Sequence, residues 1–189
     1  MVRKSSWRSL KILITLLIAI RLLFFLFTFS LARSFPVPGM AVELSSGPAI
    51  DYINEIKLKG GVTGNIRLFV MPKRFPNRAF IASGWLDNFI VTSEEELAWP
   101  TEPLRGILAH EIGHLALSHI SFWMILVDDM TFNILQLRFQ AEADAWAVRV
   151  VGRGALEACL KRIETEKNLA IRLRDLDAFL SRMYRRQAY

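Results

Sequence analysis

Residues 104–119 read LRGILAHEIGHLALSH and contain all three histidines of this 189-residue chain. His110 and His114 are four positions apart, so on a helix both imidazoles lie on one face and can reach the same ion. Glu111 stands beside them, where its carboxylate can take a proton from a water molecule. The flanking residues are apolar, and a buried His-Glu-His group without a metal would carry a large desolvation cost. The spacing therefore predicts a zinc ion, Zn²⁺, bound by His110 and His114, with Glu111 as the catalytic base. His119 lies about 140° around the helix from His114 and is expected to make a hydrogen bond near the helix end.

A hydrolytic zinc site is expected to have a third protein ligand. The chain has no fourth histidine and a single, distant cysteine, Cys159, so a carboxylate on a later helix is the natural candidate. Residues 139–148 read FQAEADAWAV and supply Glu142 and Asp144. Glu142 is predicted to be the third metal ligand, because an anionic oxygen suits a hydrolytic zinc ion.

The sequence around these motifs predicts a helix-rich α+β domain over residues 49–189. Apolar, β-branched runs separated by turn residues predict a small sheet with strands at 66–71, 79–83 and 88–92. Helical patterns that end at glycine or continue to the end of the chain predict helices over 101–120, 131–151 and most of 155–187.

The N-terminal segment carries the whole net charge of +6, since six basic residues and no acidic one precede position 34. The 18 basic residues that remain equal the 18 acidic ones, which argues against nucleic acid as a partner. Residues 12–32 are almost entirely apolar, with Arg21 near the middle, and would measure about 31 Å as a helix. This length predicts a single-pass transmembrane anchor in contact with membrane lipid, or a signal peptide cleaved after Ala32. The distribution of charge predicts that residues 1–11 are cytoplasmic and that the domain lies across the membrane, after a linker at 33–48.

Three stretches resemble the membrane-associated gluzincin metallopeptidases of the HtpX and CAAX prenyl protease (Ste-type) family. Residues 104–119 are similar to their LxxVLAHExxHxxxxH helix, and AEADAWAV at residues 141–148 is similar to their ExxADxxA helix. Residues 66–97 resemble the strand region that precedes the motif helix. The resemblance implies a zincin-like domain with one zinc ion per chain, acting as an endopeptidase on extended or misfolded polypeptides.

The chain departs from that family at one position. The family's ligand glutamate lies four residues before the aspartate of the Ala-Asp pair, and counting back from Asp144 gives Gln140. Either the ligand moves by two residues to Glu142, or it is lost and Gln140 is a poor substitute. Asp144 is then either a partner of a ligand histidine or a charge on the helix surface. Asp128 and Asp129 are alternative ligands.

These observations predict a membrane-anchored zinc metalloendopeptidase that hydrolyses peptide bonds. Its polypeptide substrate would pair with an exposed strand among residues 79–93, which implies weak side-chain specificity. The alternative is an inactive pseudoprotease, a membrane-anchored binding or scaffold module that has lost turnover through Gln140. A signalling protein would need a partner domain, for which the 156 residues after position 33 leave little room.

Overall fold

The computed structural model of the chain describes residues 11, 12, 15, 16, 18–20, 22, 23, 26, 27, 41–72, 79–83, 87–121, 124 and 135–187. Met1–Phe35 and Pro36–Tyr189 form two separate compact units. The second unit holds the histidine motif, the sheet and the six helices defined below.

A four-stranded sheet in the order β1-β2-β4-β3 is formed by Val42–Leu44 (β1), Ile66–Met71 (β2), Phe80–Ser83 (β3) and Asn88–Ser93 (β4). β2 and β4 are parallel, whereas β1 and β3 run antiparallel to their neighbours. The three predicted strands are therefore confirmed. Strand β1 was not predicted, because it lies within residues 33–48, which were predicted to be a linker. Three residues are too short for an alternation of apolar and polar residues to stand out.

Six helices account for most of the described chain: Pro48–Gly60 (α1), Glu94–Leu97 (α2), Thr101–Ala116 (α3), Gln136–Val151 (α4), Arg153–Ile163 (α5) and Glu166–Gln187 (α6). The motif helix α3 ends four residues before its predicted end, because Ser118 takes a left-handed backbone conformation with φ 60°. The predicted start of the next helix, at residues 131–134, lies outside the described residues. That helix ends at Gly152, as predicted, where φ is 89°.

The motif helix α3 packs closely against both α4 and α5. A Cβ atom on Gly106 would lie 2.3 Å from the carbonyl oxygen of Ala155 on α5, so only glycine permits this approach. On the α4 side, a Cβ on Gly113 would lie 3.1 Å from the carbonyl oxygen of Ala143. Cys159 is buried at the α3–α5 contact, and burial raises the pKa of its thiol to about 12. These contacts bring α4 close enough to α3 for side chains of both helices to share one site.

Among the described residues, no helix is both long enough and apolar enough to cross a membrane. A spanning helix needs about 20 consecutive apolar residues. The longest described helix, α6, has 22 residues but carries charged side chains along its length. This finding contradicts the predicted transmembrane helix at residues 12–32 and the single-pass membrane location derived from it. Part of that segment, Arg21 included, lies outside the described residues. The described residues do contain the predicted helix-rich fold with a small sheet.

Candidate metal centre

His110 and His114 face each other on the last two turns of α3, and their Nε2 atoms are 3.2 Å apart. Two nitrogen ligands at about 2.0–2.1 Å from a tetrahedral zinc ion would be separated by about 3.3 Å. The two imidazoles therefore have the spacing that one zinc ion requires.

A buried aspartate fixes the orientation of His110. Asp144 on α4 is 0% exposed, and its Oδ1 atom lies 2.8 Å from Nδ1 of His110. Burial opposes ionisation of Asp144, but hydrogen bonds from His110 and Arg172 outweigh it and lower the pKa of this carboxyl to about 2. An ionised carboxylate only accepts hydrogen bonds, so Nδ1 of His110 carries the proton and Nε2 presents a lone pair to the site. Of the two interpretations left open for Asp144, the structure supports the one in which it is the partner of a histidine of the motif, His110.

His114 is held neutral by its surroundings. Burial, followed by repulsion from His110 and His119, lowers the pKa of His114 to about 3. A neutral imidazole is the form that binds zinc. Its Nδ1 atom lies 3.1 Å from Nδ1 of His119, which confirms that His119 makes a hydrogen bond at the end of the helix.

Gln140 is the residue of α4 that lies next to the two imidazoles. Its Nε2 atom is 3.5 Å from Nε2 of His114, and its Oε1 atom accepts a hydrogen bond of 3.2 Å from Arg172. A glutamine can bind a metal only through its oxygen, which here is directed to Arg172. The chemistry of two imidazoles thus fits zinc, whereas the third side chain is a neutral amide.

Glu142, the predicted third ligand, is not brought together with His110 and His114. One of its oxygens lies 3.0 Å from Nε2 of His119, and the other accepts a hydrogen bond of 2.7 Å from Arg138. Two residues along a helix correspond to about 200° of rotation, so the side chains at 140 and 142 have different neighbours. The geometry favours Gln140, not Glu142, as the side chain beside the imidazole pair.

The described residues contain no group of three or more His, Cys, Asp and Glu side chains that could hold a metal ion. His110 and His114 have a glutamine, Gln140, as their neighbour on α4 in place of a third such side chain. The alternative ligands Asp128 and Asp129 lie outside the described residues.

Arg172 on α6 is a site residue that the sequence did not reveal. Its guanidinium donates to both oxygens of Asp144, at 2.7 and 2.9 Å, and to Glu164 at 3.0 Å. Several basic residues lie on this helix, and nothing in the sequence pattern sets Arg172 apart from the others. Only the packing of α6 against α4 reveals its role.

The imidazole pair opens into a cavity of about 570 Å³. Glu111 lines this cavity beside both histidines and is only 8% exposed. Ala79, which immediately precedes the edge strand β3, lines it as well. The buried Glu96 accepts a hydrogen bond of 2.7 Å from the backbone nitrogen of Ala79 and thereby ties the start of β3 to α2. The structure thus brings the predicted base, the two histidines and the end of an edge strand to one cavity.

No protein-family model and no curated protein matches the chain. The resemblance to the gluzincin metallopeptidases therefore rests on the motifs quoted above and stays a prediction.

Proposed function

We propose that this chain is a zinc-dependent metalloendopeptidase in which His110 and His114 hold the metal and Glu111 is the catalytic base. The observation that supports this most strongly is the pair of Nε2 atoms, 3.2 Å apart, at the wall of an open cavity. Asp144 orients His110 so that its Nε2 lone pair is directed into the site, and the imidazole of His114 is neutral. Two Nε2 lone pairs that converge at this distance allow both imidazoles to bind one cation.

Zinc, when bound, acts as a Lewis acid and lowers the pKa of water to near neutrality. The protein's own contribution is the placement of Glu111, whose carboxylate accepts the proton of the attacking water and returns it to the leaving amine. Burial of Glu111 beside the histidines keeps the proton within the cavity. Asp144 and Arg172 hold His110 in a fixed orientation during this transfer.

The edge strand β3 is the natural place for an extended substrate. β3 pairs with β4 on one side and forms one end of the sheet order. A polypeptide that adds to this edge would use backbone hydrogen bonds, which select an extended conformation over particular side chains. Ala79 connects this edge to the cavity that contains Glu111.

The proposal is tested by measuring bound zinc and cleavage of a labelled unstructured polypeptide with the full chain. We expect Glu111→Gln to keep its zinc and to lose about 10²–10⁴-fold in cleavage rate, because the base is removed while the ligands stay. His110→Ala and His114→Ala should lose both zinc and cleavage. Normal cleavage by Glu111→Gln would contradict the mechanism.

Gln140 favours a second candidate, a binding module that has kept the fold and lost turnover. The neutral amide, turned towards Arg172, supplies no anionic ligand where hydrolytic zinc sites carry one. This candidate predicts that the parent chain and the Glu111→Gln variant bind an unstructured polypeptide with the same affinity. Neither of them should cleave it. Cleavage by the parent that is lost in Glu111→Gln excludes it.

A further inference from the structure

Glu142 and His119 form a chain of contacts that ends on His114. Glu142 lies 3.0 Å from Nε2 of His119, and Nδ1 of His119 lies 3.1 Å from Nδ1 of His114. His119 is buried and stacks on Phe139, with ring centroids 4.5 Å apart and ring planes 20° apart. Its ring is therefore held on both edges and on one face.

The chemistry of the groups sets the direction of each hydrogen bond. The Glu142 carboxylate, which also accepts from Arg138, can only accept, so Nε2 of His119 carries the proton. In a neutral His119 the Nδ1 atom is then an acceptor, and the proton between the two Nδ1 atoms belongs to His114. His114 with its proton on Nδ1 presents an unprotonated Nε2 atom to His110. Gln140, whose amide nitrogen faces the same atom, is a donor and fits this assignment.

We infer that His119 and Glu142 are positioning residues that fix the tautomer of His114 and thereby aim its Nε2 lone pair at the metal position. Each ligand histidine then has its own carboxylate: Asp144 acts on His110 directly, and Glu142 acts on His114 through His119. The inference rests on the proposed function for its consequence, the affinity for zinc. The tautomers themselves exist in the metal-free chain and can be measured there.

The first experiment is ¹⁵N NMR of the imidazole nitrogens in the metal-free full chain. We expect His114 to be protonated at Nδ1 and His119 at Nε2. Glu142→Ala removes the acceptor and should mix the tautomers of both rings, whereas Glu142→Gln keeps an oxygen acceptor and should restore them. A purely structural role for Glu142 would leave the tautomers unchanged.

The second experiment measures zinc affinity by competition with a chromophoric chelator. Glu142→Ala and His119→Phe should each weaken zinc binding by about 10–100-fold, the usual effect of removing an outer partner of a ligand. The double variant should match His119→Phe alone, because Glu142 acts through His119. Glu157→Ala, which removes an acidic side chain paired with Arg153 on α5, is the control and should bind zinc like the parent.

Two outcomes overturn the inference. One is a loss of zinc binding in Glu142→Ala with none in His119→Phe, which would make Glu142 a direct ligand. The other is unchanged tautomers in Glu142→Ala, whatever the zinc affinity. A parent chain that binds no zinc, yet changes tautomers in Glu142→Ala, would refute the proposed function and support the inference.

Discussion

Gln140 occupies the place beside His110 and His114 where a hydrolytic zinc site would carry a carboxylate. The HExxH spacing was sufficient to predict that His110 and His114 lie side by side, because side chains four residues apart on a helix share one face. The third position was harder to predict. Counting back from Asp144 gave Gln140, whereas the preference of zinc for an anion gave Glu142. In the structure Gln140 lies beside His114 and Glu142 lies beside His119, because the position of each residue around α4 decides which neighbours it reaches.

We expect Gln140→Glu to tighten zinc binding by more than about tenfold, because it places an anionic oxygen beside the two imidazoles. Cleavage of an unstructured polypeptide should rise with it. Gln136→Glu is the matched control, since Gln136 lines the same cavity one turn earlier on α4 and the change in charge is identical. Chelator competition with the full chain measures both variants. An equal gain in both would attribute the effect to the general charge of the cavity.

At the level of the elements, close contact between α3 and its neighbours decides the geometry of the site. The helical pattern was enough to predict where α3 begins, and the apolar, β-branched runs were enough to predict three strands. The pattern did not reveal which helices touch. The sequence alone did not indicate that Gly106 and Gly113 lie at close helix contacts, which appear only when their neighbours are known.

Gly106→Ala should lower the free energy of unfolding by about 1–3 kcal/mol, because the new Cβ would overlap the Ala155 carbonyl and force α3 and α5 apart. Gly154→Ala is the control: nothing lies within 4 Å of a Cβ built there, and alanine favours helices, so stability should stay equal or rise by less than about 1 kcal/mol. Urea denaturation of both variants measures the difference. Equal effects in both would mean that α3 and α5 adjust to the added methyl group at little cost.

For the molecule as a whole, the sequence predicted a helix-rich domain with a small sheet around the motif, and the structure has both. The predicted membrane anchor was wrong for the described chain. The prediction rested on the apolar composition of residues 12–32, whereas a span also requires a long apolar helix, and the described residues contain none. Arg172 was likewise not predictable from the sequence, because only the packing of α6 brings this residue into contact with Asp144.

The buried histidine should make the metal-free chain less stable in mild acid. His114 has a pKa of about 3 in the folded chain and its ordinary value of 6.5 when unfolded, so between these values the unfolded chain binds the extra proton. The free energy of unfolding should therefore fall as the pH drops from about 6.5 to 3, with His114 contributing up to about 1.4 kcal/mol per pH unit. Urea denaturation with a chelator present, at several pH values, measures this slope. His114→Gln should flatten it, and an identical slope in that variant would contradict the assignment.

The reactivity of Cys159 reports how often α3 and α5 separate. Cys159 is the single thiol of the chain, it is 1% exposed between α3 and α5, and its pKa of about 12 keeps it protonated. A thiol reagent cannot react while these two helices stay in contact, since both access and the thiolate are missing. Each labelled chain therefore records one separation of the helix that carries the histidines from the helix that supports it. The labelling rate reports that event without any introduced probe.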